Sequence, residues 1–246
     1  MHSSQNEQDS RHYARAAKLL MLEPSDSEEC KEYTKMAFEL SEKFDTPVLL
    51  RLCTRVSHSQ SIVELNDRAE YTTKEYVKNP AKYIMNPAGA TKRHPLVEQR
   101  QKDIAEFLET SALNKIEING DEVGIITAGI SYLYAKEVFG DTVSYLKLGA
   151  VNPLPAKLIK DFASKVKTLY VIEELDPFIE NHVKTLGIDC IGKEKFSILG
   201  EFSQATIAKA FGKELPECVS ADSPIPNRPP MMCAGCPHRG LFYTLS

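Results

Sequence analysis

The chain has 246 residues, 42% of them apolar and 26% charged, and its 30 basic and 34 acidic side chains leave a net charge of -4. That composition belongs to a folded chain with room for one large α/β domain or parts of two, and with no basic stretch interleaved with aromatics it argues against a nucleic-acid partner. No apolar run approaches the roughly 18 residues of a membrane span, and the opening residues are polar and acidic where a signal peptide is basic and then apolar, so a cytoplasmic protein with no membrane association is expected.

The first eleven residues include the polar loop His2-Ser-Ser-Gln-Asn-Glu-Gln-Asp-Ser-Arg11. Loops of this kind line sites, and the competing explanation is a solvated terminus. Pro24 to Phe44 reads as a helix: Ser25 and Glu28 form a capping box, and Cys30, Tyr33, Ala37, Leu40 and Phe44 recur every three or four positions. Asp45-Thr-Pro47 breaks it, and Val48 to Cys53 follows as a buried parallel strand. Just beyond that strand stands Thr54-Arg-Val-Ser-His58, where ligands collect in open α/β sheets. Arg55 offers a planar fork to a carboxylate, and His58 titrates near neutrality; a structural ion pair or a loop cap would use the same residues.

From Asn66 to Asn114 the chain carries prolines at 80, 87 and 95 and many charges, with no strand until Glu122. This is expected to be a connector whose second half, from His94 to about Leu113, forms a solvated helix. A second α/β run then alternates: strand Val123 to Thr127, helix Ile130 to Phe139, strand Val143 to Leu148, helix Pro155 to Val166, strand Leu169 to Ile172, helix Phe178 to Leu186 and strand Ile188 to Ile191. Such alternation predicts a parallel sheet with right-handed crossovers. Gly124 and Gly129 lack the close spacing of a dinucleotide loop and read as packing and turn residues. Glu173, Glu174 and Asp176 follow a strand and read as a structural turn or a domain contact.

The six cysteines are scattered, and only Cys233 and Cys236 form a close pair. This is no disulfide framework, and a reducing compartment suits it. Two thiolates at that spacing can hold one edge of a zinc or iron-sulfur site, with the remaining ligands among Cys218 and His238 or outside the chain. Two unligated thiols beside a turn are the alternative.

Taken together, the loop Met1 to Arg11, the strand end Thr54 to His58, the run Val171-Ile-Glu-Glu-Leu-Asp-Pro-Phe178 and the motif Arg228-Pro-Pro-Met-Met-Cys-Ala-Gly-Cys-Pro-His-Arg239 closely resemble the α (large) subunit of indolepyruvate ferredoxin oxidoreductases. They occur in the same order and cover essentially the whole chain. The resemblance implies an α/β fold: the end of a pyrimidine-type thiamine-diphosphate-binding domain at 1–65, a connector at 66–115, a transketolase C-terminal-like parallel α/β domain at 116–214, and at 215–246 a linker and the start of a diphosphate-binding third domain carrying the Cys-x-x-Cys. It implies oxidative decarboxylation of aryl 2-oxo acids such as indolepyruvate to acyl-CoA, with thiamine diphosphate, Mg2+ and [4Fe-4S] clusters as cofactors and a β subunit, ferredoxin and coenzyme A as partners. Most ligands of those cofactors are absent from this sequence, which reads as an internal portion that is inactive alone. By position in the motifs, Asn6, Glu7, Asp9 and Arg11 are expected to line the cofactor or substrate pocket, Arg55 and His58 to lie near the substrate carboxylate, and Cys233 and Cys236 to be candidate metal ligands. The alternatives are a related oxidoreductase for pyruvate, 2-oxoglutarate or phenylglyoxylate, and a non-catalytic α/β module holding structural zinc.

Overall fold

A computed structural model of the chain describes residues 7–68, 70, 72–214, 223, 232 and 235–246. One compact unit runs to Glu214 and residues 215–246 form a second. In the first unit the elements are α1 (Arg11–Ala17), β1 (Leu20–Leu22), α2 (Ser27–Phe44), β2 (Val48–Leu50), α3 (Thr54–His58), α4 (Pro80–Tyr83), α5 (Pro87–Leu108), β3 (Lys115–Glu117), β4 (Val123–Ala128), α6 (Ile130–Phe139), β5 (Ser144–Leu148), β6 (Ala150–Asn152), α7 (Ala156–Ala163), β7 (Thr168–Ile172), α8 (Phe178–Thr185) and α9 (Gln204–Ala210). The second unit holds α10 (Pro237–Leu245), which begins at Cys236.

Two sheets result. The larger has the order β3-β5-β4-β7, with β4 parallel to both β5 and β7 and β3 antiparallel at the edge. The smaller has the order β2-β1-β6, with β1 parallel to β2 and antiparallel to β6. The chain is therefore α/β, with the parallel centre β5-β4-β7 that the alternating pattern predicts, and both sheets are mixed because β3 and β6 add antiparallel edges. Ile188 to Ile191 contributes only a single bridge, Tyr170 to Ile191, in place of a full strand.

The two sheets share a core. Ala14, Met21 and Val151 from the small sheet's side pack with Ile126, Leu146, Phe162, Val171 and Phe178 of the large one. A second cluster sets Leu20, Leu22 and Ala150 against Tyr33 and Leu40 of α2 and Ile104 and Leu108 of α5. The helix expected to be a solvated linker thus buries its carboxyl-terminal end completely at Ile104 and Leu108. It also starts earlier than His94, because Asn86 caps it by accepting from the Gly89 N–H at 2.7 Å and Pro87 occupies its first turn.

The chain passes from one sheet to the other at Gly149, between β5 and β6. A Cβ there would lie 2.3 Å from both the Leu113 carbonyl and the Tyr33 hydroxyl, so no other residue fits. The Asn114 side chain accepts from the Gly149 and Ala150 N–H groups and fixes the crossing.

The start of α2 also differs from expectation. Asp26, not Ser25, is the cap, accepting from the Glu29 N–H at 2.8 Å. Ser25 is buried and donates its N–H and hydroxyl to Glu29 at 3.0 and 2.8 Å. The Glu29 carboxylate also takes the ammonium of Lys147 on β5. Burial disfavours the Glu29 charge, but Lys147 and Ser25 outweigh it and hold the carboxyl down to about 2. A carboxyl with a folded pKa below its unfolded one stabilises the fold above the unfolded value, and that contribution is lost as pH falls through the folded value. Denaturant titrations from pH 7 downward are expected to lose about 2–3 kcal/mol of stability between about pH 4.5 and 2 on this account. Glu29→Gln should abolish that acid-dependent part and, by stranding the buried Lys147, lower stability at pH 7 by about 3 kcal/mol.

Candidate functional site: a cavity at the strand ends

Residues at the carboxyl ends of β2 and β7 together line a cavity of about 260 Å³. Arg51, Leu52 and Cys53 come from the end of β2, Glu174 and Leu175 from the end of β7, Gln8, Ser10 and Tyr13 from the opening loop and α1, and Gly200 and Glu201 from the turn before α9. Leu175 adopts φ 62°, a conformation rare for a bulky side chain and common where a site holds the backbone in strain.

Arg11 fastens the loop over this cavity. Its side chain is 2% exposed and pairs with Asp9 and with Glu173, each at 2.5 Å. It also donates to the Glu174 and Asp176 carbonyls at 2.9 and 3.0 Å. Glu173 in turn accepts from the Ile179 and Glu180 N–H groups at the first turn of α8, where a carboxylate meets the positive end of the helix. The surrounding carboxylates outweigh the burial of the guanidinium and raise its pKa further. Nearby, Glu7 accepts from the Gly200 N–H at 3.1 Å and His12 Nε2 stands 2.8 Å from Asp176.

The expected site residues therefore divide. Glu7 and Asp9 lie in the loop and Arg11 opens α1 at the cavity roof, but Asp9 is committed to Arg11, and Arg11 to Asp9 and Glu173, and neither lines the cavity. Arg55, on α3, is 58% exposed and bonds the cavity residue Glu201 at 2.8 Å, which puts it on the rim. His58 is exposed at the last position of α3. Asn6 and Cys233 lie outside the described residues. Thr54 to His58, read as the end of the strand, is helical, since β2 stops at Leu50.

Arg51 was not among the expected residues, although it is the one charge inside the apolar run Val48 to Cys53. Its side chain is 9% exposed and pairs with buried Glu23, at the end of β1. Glu23 in turn abuts the start of α6: a Cβ on Gly129, which has φ 54°, would lie 2.6 Å from its Oε1. Burial pushes the Glu174 carboxyl and the Cys53 thiol up from their ordinary values.

Metal ligands are less well provided for. Asp9, His12 and Asp176 bring ligand atoms within 4.8 Å of one another. Asp9, however, gives both oxygens to Arg11, so the group is an ion-pair cluster and not a seat for Mg2+. Cys236 Sγ lies 3.5 Å from His238 Nδ1, and one thiol with one imidazole does not complete a zinc or [4Fe-4S] site among the described residues. Among those residues no helix is long and apolar enough to cross a membrane.

Cavity and topology define an α/β chain with a cavity at the carboxyl ends of two of its strands. Its fold is that of a solved 2-oxoglutarate:ferredoxin oxidoreductase from Magnetococcus marinus, with a TM-score of 0.53 over 78% of this chain and 41% of that one at 17% identity. By sequence, the whole chain matches a portion of the indolepyruvate oxidoreductase subunit IorA. It is 37% identical to that subunit from Archaeoglobus fulgidus over 265 residues, all of this chain and 42% of the relative. It is 38% identical over 265 residues to that of Methanothermobacter thermautotrophicus, all of this chain and 43% of the relative. The chain thus spans less than half the length of these relatives and matches one portion of them. No protein-family profile matches it.

The bonding around Arg11 gives a direct test. Arg11→Lys cannot reach Asp9, Glu173 and two carbonyls together, and should shift the urea midpoint by an amount equivalent to about 3 kcal/mol. Arg55→Ala removes only an exposed pair and should leave that midpoint unchanged.

Proposed function

We propose that the chain forms part of a thiamine-diphosphate-dependent oxidoreductase that oxidatively decarboxylates aryl 2-oxo acids, indolepyruvate among them, to acyl-CoA and passes the electrons to ferredoxin. The observation that carries this reading is the match of the whole chain to a portion of the IorA subunits, which are named as indolepyruvate oxidoreductase subunits. The strand-end cavity supports it physically, because a small pocket with an apolar wall at Leu52 and Leu175 and an arginine among its lining residues suits an organic acid better than a nucleotide.

Thiamine diphosphate, Mg2+ and the [4Fe-4S] clusters are assigned by this reading mainly to sequence the chain does not span, and a β subunit to a separate polypeptide. When bound, the thiamine supplies the carbanion chemistry of decarboxylation. The residues of this chain hold the acid, with Glu7 and the Asp9–Arg11 pair keeping the roof in place and Arg55 and His58 guiding charge at the rim. Coenzyme A, bound in the Magnetococcus enzyme with 2-oxoglutarate, would act here as acyl acceptor. Cys233 and Cys236 remain candidate ligands in the second unit. A cytoplasmic location goes with this chemistry.

The full-length subunit, purified with its partner, should reduce ferredoxin in the presence of coenzyme A and indolepyruvate or phenylpyruvate at rates at least about ten times those with pyruvate or 2-oxoglutarate, a discrimination of about 1.4 kcal/mol. Turnover that ranks pyruvate or 2-oxoglutarate first would replace the aryl assignment with that of the related oxidoreductases, and no turnover of any 2-oxo acid would remove the enzymatic reading.

A further inference from the structure

Three arginines surround the cavity, and their donors are used very differently. Arg11 is saturated by Asp9, Glu173 and two backbone carbonyls and does not line the cavity. Arg55 sits on the rim and bonds Glu201. Arg51 lines the cavity, its side chain is 9% exposed, and its one side-chain partner among the described residues is Glu23, reached through a single terminal nitrogen. The pairing is incomplete on the other side as well, since Glu23 Oε2 is buried with no hydrogen-bond partner among the described residues. A buried ion pair is favourable only when its remaining hydrogen-bonding positions are filled, and a guanidinium has five N–H donors in a planar fork that matches a carboxylate two at a time.

The geometry points to Arg51 as the anion-recognising residue of this cavity, and to its ligand as a monocarboxylate with a flat or apolar body. The choice of charge follows from the wall. Glu174 and Glu201 both line the cavity, so phosphates and other multiply charged anions meet repulsion that a single carboxylate, seated on Arg51, largely avoids. Glu174 accepts from the Phe202 N–H at 2.8 Å, and Glu201 faces the rim arginine. Leu52, Leu175 and Tyr13 supply the apolar surface for the rest of the ligand, while Gln8 and Ser10 can bond a neighbouring carbonyl oxygen. Only the identification of that acid as a 2-oxo acid rests on the function proposed above.

The test is calorimetric titration of the purified chain with phenylpyruvate, benzoate and the neutral benzamide. The variants are Arg51→Gln, the doubly neutral Glu23→Gln/Arg51→Gln, Arg55→Gln, and Lys167→Gln at the opposite end of β7 as a charge control. Both acids should bind the unmodified chain at least about tenfold more tightly than benzamide, as a charge-assisted pair requires. Arg51→Gln should weaken both acids by at least about tenfold without changing benzamide, whereas Lys167→Gln should change nothing. The double variant leaves no buried charge unpaired, so it keeps the comparison valid if the single variant unfolds, and it should show the same loss. Equal, Arg51-dependent binding of benzoate and phenylpyruvate would uphold the carboxylate site while withdrawing support from the 2-oxo acid reading. Acid binding that survives in the folded double variant, that is lost only in Arg55→Gln, or that is absent from the unmodified chain would overturn the assignment of Arg51.

Discussion

The cavity exists because a buried guanidinium holds three stretches of chain to one point. Arg11 joins the opening loop, through Asp9, to the turn after β7, through Glu173 and the carbonyls of Glu174 and Asp176. Glu173 carries the constraint onward by accepting from the first turn of α8. Phe178, at the start of that helix, packs beneath the guanidinium with its ring centroid 5.1 Å away. Burying so much charge is favourable only when every partner is in place, so the contacts form together or not at all. This cooperativity makes the loop a fixed roof, and it places Gln8, Ser10 and Tyr13 opposite residues distant along the chain, from Arg51 to Glu201.

A second set of interactions prevents the two sheets from behaving as separate bodies. Lys147 projects from the large sheet to Glu29 and Ser25 at the start of α2, and Gly149 lets the chain cross to the small sheet at a point too tight for any side chain. The residues that follow β2 and β7 consequently line one cavity although the two strands belong to different sheets. Neighbouring strand ends from two sheets make a deeper recess than the edge of one sheet, because each contributes its own turn as a wall.

The sequence pattern revealed the parts of this arrangement that have length. Strands β4, β5 and β7 and helices α6, α7 and α8 each carry enough periodic or continuously apolar residues to be read directly, and they lie within a few residues of their expected bounds. Strands β1, β3 and β6 have three residues each, too few for any period to register, and their existence depends on partners distant in sequence. The position of the site, beyond Val48 to Leu50, was legible for the same reason as the sheet. The roles of its residues were not. A cap at Ser25 was plausible locally, yet the Ser25 hydroxyl is taken up by Glu29 and, from the distant strand β5, by Lys147, and the polar loop looked like a set of binding groups while its charged members are largely spent on one another.

What separates a structural arginine from a recognising one is the count of donors already satisfied, and that count is fixed by folding. Arg11 and Arg51 both have side chains largely withdrawn from solvent and both stand within reach of two or more carboxylates, so local charge does not distinguish them. Arg11 meets carboxylates and carbonyls on several sides because the roof and the β7 turn close around it. Arg51 meets Glu23 on one side and the cavity on the other, and the neighbouring acids Glu174 and Glu201 are taken up by the Phe202 N–H and by Arg55. The same wall that leaves Arg51, among the described residues, with donors beyond its bond to Glu23 thus also occupies the neighbouring acids, and on the assignment proposed above a carboxylate entering between Leu52 and Leu175 would take up those donors.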